Sequence, residues 1–269
     1  MVELKPMELG EILDGALTLY RRHFGLLLRL GVIALWLPAS LSIFVQVTGG
    51  PTQHLILYLL TAFVQYFGAL FLTAGAIRVI SDSYLGQPTT LAQAVSLGAS
   101  KIIPLFGVGF GKGVILALIG GAIGLFFAFL AGNIVLVLIA VVLGIWALVY
   151  VACGYAVTTQ VVVLEPLDGS FDSFGRSWEL TRGFKRKVAS IAFVAGLIFN
   201  VPVGAAQQSA VALSLTDPAS GAVVAVIAAL LPIVLTPLLA CVFTLMYYDL
   251  RIRREGFDLQ VLSQHLVSS

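Results

Sequence analysis

The heptapeptide Gly107-Val-Gly-Phe-Gly-Lys-Gly113 admits two incompatible readings, and the choice between them decides the fold. Glycines running into a lysine suggest a phosphate-binding loop, which would place a soluble nucleotide-binding domain around it. The same letters inside an apolar run describe a membrane helix whose glycines admit close neighbours and whose lysine has left water. A phosphate loop needs a glycine, four residues, then Gly-Lys and a Ser or Thr, because backbone amides and the lysine hold phosphate while the hydroxyl holds magnesium. Phe106 stands where the first glycine belongs and Gly113 where the hydroxyl belongs, and no strand pattern precedes the segment. The phosphate-loop reading fails.

Composition supports the membrane reading. Of 269 residues, 59% are hydrophobic and 10% charged, against roughly 25% charged in soluble domains; the mean hydropathy is +1.05. Apolar runs of spanning length fall at about 24–47, 54–78, 102–130, 133–161, 188–213 and 221–248, each able to cross about 30 Å of hydrocarbon as a helix. The chain is therefore expected to be an all-α, polytopic integral membrane protein, a six-transmembrane-helix bundle forming one domain over 1–269. No cleavable signal is expected, because the first twenty residues are polar and acidic and the first apolar run is too long.

The basic residues set the expected orientation. Apart from Arg29 and Lys112 within spans, the 15 lysines and arginines are Lys5, Arg21, Arg22, Arg78, Lys101, Arg176, Arg182, Lys185, Arg186, Lys187, Arg251, Arg253 and Arg254. All lie in the N-terminus, the even-numbered connections or the C-terminus, while TGGPTQ, AGN and SLTDPAS contain none. That asymmetry predicts both termini in the cytoplasm of a multi-pass cell-membrane protein.

Three short segments on the basic side resemble one another, opening at Pro6, Pro88 and Pro166. Each continues in helical period, reaches basic residues and leads into two spans, which predicts a repeated unit over about 5–85, 86–163 and 164–258. In the first, Leu9, Ile12, Leu13, Ala16, Leu17 and Tyr20 share one face, as an amphipathic interfacial helix on an anionic leaflet would require. In the second the face is Leu91, Ala94, Val95 and Gly98. In the third, Phe171, Phe174, Trp178 and Thr181 form the stripe, with Ser170 as the expected N-cap. Pro38 and Pro202 are expected to interrupt the first and fifth spans. The pairs Gly107/Gly111, Gly109/Gly113 and Gly120/Gly124 mark the third span as the expected central packing helix.

Chemistry-bearing sets are absent from the sequence pattern. His23, His54 and His265 are scattered, Cys153 and Cys241 fall within spans, and Gly175-Arg-Ser177-Trp-Glu stops short of a nucleophile elbow. No carboxylate falls within the six apolar runs. No enzymatic activity, cofactor, metal or nucleic-acid partner is expected. Lys112 has two readings. It snorkels to the headgroups, since 29 residues span about 43 Å, or it joins Gln65, with Asn133, Gln160, Asn200, Gln207 and Gln208, in an intramembrane polar site. The basic residues Arg21, Arg22, Lys185, Arg186, Lys187, Arg251, Arg253 and Arg254 are expected to form a cytoplasmic belt for anionic membrane lipids or a protein partner.

The C-terminal Met246–Leu262 (MYYDLRIRREGFDLQVL), with PMELGEILDGALTLYRRHF and RSWELTRGFKRK, resembles the bacterial glycerophosphoryl diester phosphodiesterase membrane-domain family, and the likeness runs through the chain in order. Tyr248, Asp249, Arg251, Arg253, Glu255, Gly256 and Asp258 match its C-terminal motif. The resemblance implies a stand-alone membrane domain of unassigned role, because the metal-binding residues of the phosphodiesterase activity have no counterpart here. The leading expectation is a non-enzymatic membrane scaffold or accessory subunit; the rival is a transporter or permease for a small or lipid-like solute.

Overall fold

The computed structural model describes residues 6–48, 53–130 and 132–256. Lys5, His265 and the motif residue Asp258 lie outside them. Every regular element among the described residues is a helix, and six of the helical segments are long and apolar enough to cross a membrane. In order they are α1 (Leu9–Arg22), α2 (Phe24–Val47), α3 (Leu55–Tyr84), α4 (Leu91–Ser100), α5 (Ile102–Leu130), α6 (Ile134–Gly154), α7 (Thr158–Leu164), α8 (Asp172–Thr181), α9 (Lys185–Thr216) and α10 (Pro218–Glu255).

Local chemistry fixes the helix ends. The Glu8 amide donates to Glu11 Oε2 at 2.7 Å, opening α1, and Thr90 and Gln93 exchange the same pair of bonds at the start of α4. Asn133 caps α6. Asp217 caps α10, with Pro218 supplying a first position that needs no N–H. α10 stops at Gly256, whose φ of 61° places it in the left-handed region. The expected N-cap at Ser170 is not used, because α8 opens at Asp172, whose carboxylate accepts the Gly169 amide instead.

Three further expectations need correction. Pro38 and Pro202 do not end their helices: α2 and α9 run through them, as α10 runs through Pro232 and Pro237. The fourth span is not one helix, for it breaks between Gly154 and Thr158. There the Gly154 carbonyl accepts the hydroxyls of Ser177 (2.9 Å) and Thr181 (3.3 Å) from α8, and the Trp178 ring occupies the space a side chain at 154 would need. The third span is not the packing centre. Gly107, Gly113, Gly120 and Gly124 of α5 have open space beside them, while Gly109 meets only the Tyr66 hydroxyl and Gly111 the Phe171 and Phe174 rings.

The central helix is α10, which packs against α9, α2, α3 and α1. Its fully buried Leu245, Met246 and Tyr247 meet a core of Ile12, Leu27, Leu30, Leu72, Ile77, Ile80, Leu180 and Ile191. These residues lie in the half of the bundle carrying the basic helix ends, hereafter the basic end. The α5–α6 pair stands at the periphery and turns large apolar side chains outward, as a lipid-facing hairpin does.

Candidate functional site: the basic end of the bundle

The apolar faces read from the short helices are largely occupied by protein. Ile12 and Ala16 of α1 are fully buried and the helix lies on α10, and Ala94 and Gly98 of α4 are buried against α3. In α8 the buried side is Ser173, Ser177, Leu180 and Thr181, rotated from the aromatic stripe expected there; Phe171 is exposed. Its small hydroxyl residues let α8 close on the Gly154 carbonyl, a demand an apolar stripe cannot reveal.

Two polar knots tie these elements together. The first centres on Asp249, whose side chain is fully buried. Its Oδ1 accepts the Met7 amide at 2.7 Å, Oδ2 accepts Lys187 Nζ at 2.5 Å, and Arg253 Nε reaches both oxygens at 3.0 and 3.2 Å. The Met7 carbonyl in turn accepts Lys187 Nζ at 2.5 Å and Arg253 Nη2 at 3.0 Å. One carboxylate thereby fastens the segment before α1 to α9 and α10. Tyr248, one residue earlier, shares a 2.6 Å hydrogen bond with Ser81 of α3 and stacks on Tyr84. Buried Asp82, the residue after Ser81, accepts Arg78 Nε at 2.8 Å and Thr89 Oγ1 at 2.6 Å.

The second knot closes a ring. Tyr247 donates to Glu165 Oε1 at 2.7 Å, Arg176 Nε donates to Glu165 Oε2 at 2.8 Å, and Arg176 Nη2 meets Glu255 Oε1 at 2.5 Å. Arg251 pairs with Glu255 at 3.1 Å and returns to the Tyr247 hydroxyl at 3.4 Å. Burial works against the Arg176 charge, but the hydrogen bonds and charges of Glu165 and Glu255 outweigh it and raise its pKa above the ordinary guanidinium value. Lys101 Nζ donates to the Val162 carbonyl at 2.8 Å, tying the start of α5 to α7.

The expected belt is therefore divided. Lys187, Arg251 and Arg253 are committed to internal carboxylates. Lys185 is buried at its tip between two rings, with Nζ 3.2 Å from the Tyr150 centroid and 3.5 Å from that of Trp178, and without a hydrogen-bond partner among the described residues. Arg21, Arg22, Arg186 and Arg254 are exposed and make no ion pair among the described residues, and Arg182 joins them. The sequence pointed to the arginines, and the motif resemblance to Asp249, but not to Asp82, to Glu165 or to the pairing of Arg176. Spacing held a signal: Asp249/Arg253 and Arg251/Glu255 are helical i,i+4 pairs. No carboxylate falls in the apolar runs, but the spanning helices α3 and α10 continue past those runs and bury Asp82 and Asp249 within their last two turns.

The other expected site does not assemble. Lys112 is half-buried on α5, with no hydrogen bond or ion pair among the described residues. Gln65 instead lines a cavity between α2, α3, α9 and α10, which Gln207 also lines. Among the described residues no three His, Cys, Asp or Glu side chains group as metal ligands. Comparison with family models, with curated proteins and with solved structures finds no match to the chain.

Proposed function

We propose that the chain is a non-enzymatic membrane scaffold or accessory subunit whose exposed arginines bind anionic lipid headgroups on the cytoplasmic side. The observation that carries this is the division of the basic end: Arg176, Lys187, Arg251 and Arg253 are paired with internal carboxylates, while Arg21, Arg22, Arg182, Arg186 and Arg254 remain in solvent without acidic partners among the described residues. A positive surface fixed to a braced bundle is what an anionic leaflet attracts. The positive-inside asymmetry supports a cytoplasmic position for this end. In this reading α1, α4 and α8 are headgroup-level helices of three related units, each a short helix followed by a transmembrane hairpin. The C-terminal motif supports assignment to the glycerophosphoryl diester phosphodiesterase membrane-domain family as a stand-alone domain, with the motif as its brace rather than its working surface. A permease path through Lys112 has less support, since Lys112 is not among the residues that line the amide cavity.

Reconstitution in mixed vesicles tests the proposal, with energy transfer from tryptophan to a dansyl-labelled anionic lipid reporting local enrichment. Each basic residue near the surface contributes about fivefold at low salt. Neutralising all five arginines should cut enrichment on the order of a thousandfold, with little effect in high salt. Unchanged enrichment in that variant would refute the lipid-binding surface.

A further inference from the structure

The prolines inside α2 and α10 leave backbone acceptors that can be traced. Proline has no N–H, so the carbonyl four residues earlier in the helix loses its partner, and in hydrocarbon that oxygen must be satisfied otherwise. Pro38 frees Ala34 and Pro237 frees Ile233. Both carbonyls are met by a bare glycine on the adjoining helix. A β-carbon on Gly68 would lie 2.5 Å from the Ala34 oxygen, and one on Gly31 would lie 2.8 Å from the Ile233 oxygen. Only Cα–H groups fit there, and they are weak donors to the oxygen.

Pro232 frees a third carbonyl, that of Ala228. No glycine among the described residues covers it. Ala228 and Pro232 instead line a cavity of about 200 Å³, whose walls also carry Ser42, Gln46, Gln65 and Gln207. None of these glutamines has a protein hydrogen bond among the described residues. The cavity lies in the half of the bundle away from the basic end. Gln46 stands beside the end of α2, and Gln65 lies about 15 Å along α3 from its start at 1.5 Å per residue. Among the described residues no charged side chain lines it.

We propose that this cavity is a binding site for a neutral polyhydroxyl group, carried by a dissolved polyol or by a lipid headgroup. An uncompensated ion would find no counter-charge in these walls. A hydroxyl is donor and acceptor at once, and each glutamine amide offers the complementary pair of functions, while the freed carbonyl accepts one more bond. The volume would otherwise hold roughly half a dozen waters at about 30 Å³ each, so a compact polyol displacing them fits and a drug-sized ligand does not. The site is independent of the arginine surface at the other end.

The test uses the full chain in phosphatidylcholine vesicles with Ser42→Cys as reporter and a neutral methanethiosulfonate as the probe. Native Cys153 and Cys241 are buried and supply the unreactive background. Labelling should slow when a dissolved sugar alcohol is added, or when the vesicles contain a neutral glycosyl lipid; the first result assigns a free solute and the second a headgroup. Gln65→Leu in the reporter background should weaken that protection about three- to tenfold, the worth of one or two hydrogen bonds, and Gln65→Asn, which keeps the amide, should weaken it less. Size-exclusion profiles identify variants that fail to fold; if Gln65→Leu is one, Gln207→Leu takes its place. The proposal is overturned if neither source protects, as for a cavity that holds water alone. It is equally overturned if a charged solute of equal size protects as well, or if the folded Leu variant is protected like the parent.

Discussion

Replacing Asp249 should release the segment before α1 and loosen the basic end in one step. The carboxylate is fully buried and holds the Met7 amide, Lys187 and Arg253 at 2.5–3.2 Å. Asp249→Ala would leave two cations facing the void and one amide unpaired. Breaking a buried ion pair by removing one partner costs about 3–5 kcal/mol, and an orphaned buried amide adds about 1–3 kcal/mol. The two costs overlap because Lys187 and Arg253 retain the Met7 carbonyl, so about 4 kcal/mol is the expected loss. Asp249→Asn keeps the shape and one acceptor but removes the charge, and should lose less. Adding Lys187→Met to Asp249→Ala should recover part of the loss, since an uncompensated buried cation is then gone. Thermal unfolding in detergent measures the stabilities, and hydrogen exchange at the Met7 amide reports the release directly. If Asp249→Ala unfolds like the parent, with Met7 still protected, the carboxylate is not the clamp and this reasoning fails.

Other outcomes follow from the same contacts. Gly68→Ala and Gly31→Ala should each destabilise the bundle by about 1–3 kcal/mol, measured by thermal unfolding, because the new methyl would meet a backbone oxygen that cannot swing away. Lys185→Met keeps the stem between Tyr150 and Trp178 but removes the cation, and should lower stability by about 2 kcal/mol; Trp178 fluorescence would report the loss of the charge beside its ring. His23 has its pKa lowered by burial and by the Arg22 charge, and its ring bonds Ser83 at 2.6 Å. The folded state thus favours neutral imidazole, so its contribution is fully present above the unfolded value of about 6.5 and is lost as pH falls from there through the lowered folded value. Unfolding temperature should therefore drop on acidification, and His23→Gln should blunt the drop. Lys112→Met should leave stability unchanged, since no carboxylate among the described residues loses a partner.

Much of this architecture was legible in the sequence, because hydrocarbon enforces a simple rule: backbone groups must be satisfied within the segment, so long apolar runs become helices. α2 and α5 begin and end where their runs do. The ends of α3 and α10 were not legible, since hydropathy falls at Asp82 and Asp249 while the helix continues and buries both in pairs. Glycine spacing misplaced the packing centre for a related reason. The pattern on α5 records what could pack, whereas Gly31 and Gly68 pack because prolines on their neighbours expose carbonyls that need them. The arginines were visible as positive charge, but which of them are spent internally depends on Glu165, Arg176 and Met7, far apart in the chain. Gln65 was visible as a polar residue in a span, and its partners across α2, α9 and α10 were not.

The division of the basic end is tested most directly by pairing two variants in one vesicle experiment, with lipid enrichment and unfolding temperature read on both. Neutralising Arg21, Arg22, Arg182, Arg186 and Arg254 together should abolish low-salt enrichment of anionic lipid and leave the unfolding temperature unchanged. Lys187→Met should lower the unfolding temperature and leave enrichment intact. Loss of enrichment in Lys187→Met at a temperature where it is still folded, with the five-arginine variant still enriched, would contradict the account.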